Sequence, residues 1–64
     1  MTARDRTKLC AAGYLIIRAD NQPSPRIKKF VHDSTWVTIE SFPTKAARDR
    51  AMMTMLKQPH IIED

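Results

Sequence analysis

A chain of 64 residues with a formal net charge of +4 and one cysteine makes a single domain near the lower size limit for independent folding, burying roughly 60% of the surface its unfolded chain exposes. So small a core has little room for buried charge, which argues against a deep polar active site, and the lone Cys10 excludes an internal disulfide and fits a reducing cytoplasm. No apolar segment follows Arg4, Asp5, Arg6 and Lys8, and no run approaches the roughly 18 apolar residues of a membrane span, so a cytoplasmic protein without membrane contacts is expected.

The charge is unevenly placed. Residues 1–29 hold seven Lys and Arg against two acids, whereas residues 30–64 hold four against five. A basic half suggests an anionic partner such as nucleic acid; solubility is the plainer alternative.

Thr2 can cap a short helix from about Ala3 to Ala12, with Asp5 favourably placed towards its positive end. Gly13 supplies the left-handed residue that often ends a helix, and Leu9 and Ala12 are its inward residues, with Cys10 beside them. Tyr14 to Ala19 is rich in strand formers, though its unbroken apolar run leaves the inward face open. Pro23 and Pro25 make Asp20 to Pro25 a loop. Arg26 to His32 forms a second strand of ambiguous phase: Ile27, Lys29 and Val31 share one face, and Lys28, Phe30 and His32 the other. Either Lys29 snorkels from the core edge or a bulge shifts the register.

Asp33-Ser34 makes a tight turn, and Thr35 to Ser41 alternates cleanly, Val37 and Ile39 on one side, Trp36, Thr38 and Glu40 on the other. The stretch Phe42 to Leu56 carries the longest helix. Thr44 caps it, Pro43 keeps the entering chain extended, and Pro59 stops it before about Gln58. Ala47, Ala51 and Met55, with Met52 and Leu56 beside them, form its apolar stripe. Ile61 and Ile62 make a short extended tail that folds back onto the body.

The expected architecture is therefore α+β in the order αβββα: a three-stranded antiparallel sheet packed by a long C-terminal helix, with a short N-terminal helix and an extended tail. The long helix covers Val37, Ile39, Ile17 and Ile27. The opposite face carries Arg18, Arg26, Lys28, Phe30 and Trp36. Aromatic rings stack on bases and flanking cations neutralise phosphates, so these five are the expected nucleic-acid contacts unless the first helix covers them. Lys45 and Arg48, at the start of the long helix, are a secondary phosphate contact, with plain capping the alternative.

No catalytic, metal-binding or cofactor-binding constellation is legible. His32-Asp33-Ser34 has the letters of a hydrolytic triad, yet consecutive residues point apart. His32, His60 and Cys10 lack metal-ligand spacing, and Cys10 is read as a small buried residue rather than a reactive thiolate. Met53, off the helix stripe, could meet a partner.

Three resemblances add to this. Helix, three strands and helix in succession, with TKAAR from Thr44 to Arg48, resembles double-stranded-RNA-binding domains, which implies phosphate contacts at that helix start. Trp36 to Ala51, with FPTKAARDRA inside it, resembles the last strand and helix of the plant apetala class of DNA-binding domains, which implies DNA reading by the sheet face. LCAAGYLIIR, Leu9 to Arg18, is similar to the opening of the HicA class of messenger-RNA interferase toxins, whose catalytic Gly-Ser-His segment has no counterpart here, so no activity is implied. The expected function is a small non-enzymatic nucleic-acid-binding accessory module. The alternative is a protein-interaction module that docks on a partner or, as a homodimer, on a second copy, through the aromatic face or through Met53 and the Ile61-Ile62 tail.

Overall fold

The computed structural model describes residues 1–32 and 35–64, so the turn expected at Asp33-Ser34 lies outside the described residues. Helix α1 (Ala3–Ala11) starts at a capping box: the Thr2 hydroxyl accepts from Asp5 N–H at 3.1 Å, and Thr2 N–H donates to the Asp5 carboxylate at 3.4 Å. Those bonds to Thr2 hold the Asp5 carboxyl below its ordinary pKa. Gly13, at φ +97°, turns the chain out of the helix in the left-handed conformation that glycine adopts freely.

Strands β1 (Leu15–Asp20), β2 (Arg26–Phe30) and β3 (Trp36–Ser41) follow, then helix α2 (Lys45–Met55) and strand β4 (Ile61–Glu63). Thr44 caps α2 by accepting from Ala47 N–H at 3.1 Å. β1 thus begins and ends one residue later than expected, and β2 stops at Phe30 rather than at His32.

The tail is a correction to the expected fold. Instead of a three-stranded antiparallel sheet with an extended appendage, the described residues form a four-stranded mixed sheet in the order β3-β2-β1-β4, in which β4 runs parallel to β1. Leu15 N–H donates to His60 O at 2.7 Å and Asp64 N–H to Ile17 O at 2.9 Å, fastening the two strands. Parallel pairing needs a long crossover, and residues 42–60, with α2 among them, supply it by carrying the chain from one sheet edge to the other.

Adding β4 beyond β1 moves the middle of the sheet from β2 towards β1. Ile16 and Ile17, neighbours in β1, are both fully buried, so both faces of that strand are covered and its continuous apolar run is explained. On one face Ile17 and Ile27 pack against Met52, with Leu15, Phe42, Ala51, Met55, Leu56 and Ile61 around them. On the other lie Ile16 and Phe30, with α1 alongside β1.

That shift leaves β3 outside the cover of α2. Val37 and Ile39, expected beneath the helix, are instead 44% and 40% exposed. Register explains part of this. Ile27 stands opposite Glu40 and Lys28 opposite Thr38, so Ile39 is an extra residue on β3. Both alternatives for the second strand are realised in part: the register shifts between Ile27 and Lys28, with the extra residue on β3, and Lys29, opposite Ile17 and Val37, is exposed.

Candidate functional site

Residues opposite one another across strands share a face. Arg18, Lys28 and Thr38 therefore form one row across β1, β2 and β3, on the face turned away from α2. Arg26 lies two residues along β2 from Lys28, and Phe30 and Trp36 form the next opposed pair. Arg18, Arg26, Lys28, Phe30 and Trp36 thus lie on one face of the sheet, as strand alternation predicts.

Their surroundings differ from expectation in one respect. Phe30 is 4% exposed. Its ring meets Trp36 edge-on at 5.7 Å and 73°, and the Arg6 guanidinium of α1 lies 5.7 Å from its centroid. Phe30 is consequently a core residue supporting the surface, and it offers no face for a base to stack on. Trp36 is half-buried. Two guanidinium groups lie by its ring, Arg6 at 5.6 Å and Arg18 at 4.6 Å, within the range of cation–π attraction.

The remaining cations stay near water. Arg18 keeps 49% of its side chain exposed while its Nη2 approaches an Asp64 oxygen at 3.4 Å. Arg26 is held flat by neutral groups: Nε donates to Ser24 O at 3.2 Å, Nη2 to Ser24 Oγ at 3.2 Å and Nη1 to Thr38 Oγ1 at 3.4 Å. Lys28 pairs with Asp20. That contact, with N–H donation from Gln22 and Asn21, lowers the Asp20 pKa to about 2.

Lys45 and Arg48 do not join this group. Both stand on α2, on the other side of the sheet, and Arg48 is 7% exposed. Its Nη1 donates to Asp20 O at 3.0 Å and to Asn21 Oδ1, and Nε and Nη2 hold the Asp49 carboxylate at 3.1 and 2.9 Å. The residue clamps the β1–β2 corner to the helix and spends four of its five N–H donors within the fold, which sets it apart from an open phosphate contact. Lys45 is exposed at the first position of α2.

Arg6 was not among the residues expected to matter. Helical spacing could have found it, since Arg6, Leu9 and Cys10 stand at i, i+3 and i+4 and are the half-buried residues of α1. Leu9 bears out the inward face expected for that helix, whereas Ala12 is exposed and Arg6 takes the place one turn before Leu9.

A shallow cleft of about 240 Å³ lies elsewhere, between Ala12, Gly13, Tyr14, Pro59 and His60, below the roughly 300 Å³ at which small-molecule sites begin. Among the described residues no three His, Cys, Asp or Glu side chains gather as a metal-binding group, and no helix is long and apolar enough to cross a membrane. Set against protein-family models, curated proteins and solved structures, the chain matches none.

Proposed function

We propose that this chain is a small non-enzymatic nucleic-acid-binding module that grips the sugar–phosphate backbone through the half of the sheet face left open beside α1. The observation that carries this reading is the cross-strand row Arg18–Lys28–Thr38 with Arg26 beside it. Three cations and a hydroxyl on adjacent strands, backed by a rigid aromatic pair, present donors at fixed spacing along a surface that stays near water. Lys28 and Asp20 each keep part of their side chains in water, where ion pairs are weak, so a phosphate can replace Asp20 as the partner of Lys28. With the Trp36 ring engaged by guanidinium groups and Phe30 buried, phosphate contact outweighs base stacking, and binding has little sequence preference.

Titration of labelled single- and double-stranded oligonucleotides at two salt concentrations tests this. Neutralising about three phosphates gives a log–log salt slope of about −2 to −3. Absence of binding at low ionic strength overturns the proposal.

The exposure of Val37 and Ile39 favours a second reading, in which two copies associate through the outer edge of β3. Edge strands with apolar side chains and unpaired backbone groups readily add another strand. A mass that doubles with concentration in light scattering, and returns to that of one chain on Val37→Lys, supports it; a single-chain mass at every concentration dismisses it. Ile61 and Ile62 do not form a free docking tail, because they are half-buried within the sheet as part of β4.

A further inference from the structure

Asp64 lies just past the end of β4, and its side chain is 8% exposed. One of its carboxylate oxygens accepts from Arg6 Nη1 at 3.1 Å and the other faces Arg18 Nη2 at 3.4 Å. A single carboxylate thus bridges two guanidinium groups, each of which also lies against the Trp36 ring. Two guanidinium groups therefore share one side-chain carboxylate. Arg6 Nε is buried and finds no acceptor among the described residues, so this guanidinium is not fully satisfied by the partners it has.

We infer that Arg6 and Arg18 form an oxyanion site, that the Asp64 carboxylate is its internal occupant, and that a phosphodiester group of a nucleic acid takes the place of Asp64 when the protein binds. The inference rests on the nucleic-acid reading and goes further, since it names Arg6 as a contact and Asp64 as a competitor. The chemistry matches: a phosphodiester, like a carboxylate, offers two equivalent unbridged oxygens, and planar guanidinium donors recognise both. The geometry permits the exchange, because Arg18 is half-exposed and Asp64 is tied to the sheet by a backbone bond that does not involve its carboxylate. The exchange occurs beside the sole tryptophan of the chain, which therefore reports it.

The test compares wild type, Asp64→Asn and the double variant Asp64→Asn/Arg18→Gln, with circular dichroism verifying the fold. Oligonucleotide affinity is measured at low salt, and Trp36 emission is followed during titration with inorganic phosphate against sodium chloride of equal ionic strength. Removing the internal anion should tighten oligonucleotide binding about tenfold, and Arg18→Gln should cancel the gain. Phosphate should alter Trp36 emission in Asp64→Asn at lower concentration than in wild type, with chloride inert. If wild type binds the oligonucleotide and Asp64→Asn binds no tighter, the inference falls and the binding module stands. If neither binds and phosphate leaves the emission of Asp64→Asn unchanged, both fall. A phosphate response without oligonucleotide binding keeps the oxyanion site, assigns it to a free phosphate-bearing molecule and overturns the nucleic-acid occupant. Asp64→Ala, judged on the same readouts, replaces the Asn variant if that one does not fold.

Discussion

At the scale of single residues, the same side-chain type serves opposite ends. Arg48 and Arg18 are both arginines next to aspartates, yet one is 7% exposed and spends its donors on the chain itself, whereas the other keeps half its side chain in water. Arg48→Ala strands the Asp20 carbonyl and the Asn21 side chain without their donor, and should cost about 2–3 kcal/mol in urea unfolding while leaving oligonucleotide affinity intact. A loss below about 0.5 kcal/mol would show that the clamp holds nothing. Asp20 makes the pH-dependent counterpart. Its carboxyl is depressed to about 2, chiefly by Lys28, so the stability it contributes is present above the unfolded pKa of about 3.9 and is lost as pH falls towards 2. Wild type should therefore exceed Asp20→Asn in denaturation midpoint at about pH 5, and the gap should narrow at about pH 2; an equal gap at both would remove the linkage. None of this division of labour was legible in the chain. Spacing placed Arg48 one turn into a helix and could not say that the β1–β2 corner would close over it.

Among the elements, the helices were the most legible because their ends are marked by local chemistry. Thr2 with Asp5, Thr44 with Ala47, and Gly13 work within a turn of chain, so the sequence carries them in full. Thr44→Ala should cost about 1 kcal/mol, read as a melting temperature lower by about 4–8 °C for a domain of this size; an unchanged temperature would mean another group caps α2. The shared face of Arg18, Lys28 and Trp36 follows from strand alternation alone. β4 is different. It has three residues, too few for a period of two to emerge, and its pairing with β1 joins positions 46 residues apart, Leu15 with Ile61, with no turn between them to announce it. The exposure of β3 follows from the same omission, since a helix expected to centre on three strands centres elsewhere when there are four.

For the molecule as a whole, the two helices cover opposite faces of one sheet and meet the same strand from either side. Ile17 belongs to the packing under α2 and Ile16 to the face under α1. The two covers are unequal, because α2 buries Met52 and Arg48 whereas α1 buries no residue. In hydrogen exchange the amides of α1 should therefore open by local fluctuation well before those of β1, which should wait for global unfolding; equal protection in both would mean that the helices come away together.

Cover of such different strength on the two sides gives the molecule a tight flank and a loose one. The loose flank is the one that holds Arg6 above the two rings. Fluctuations of α1 would carry that guanidinium with them while the packing under α2 stays closed, so on the proposed reading the motion that governs binding is separate from the one that governs unfolding.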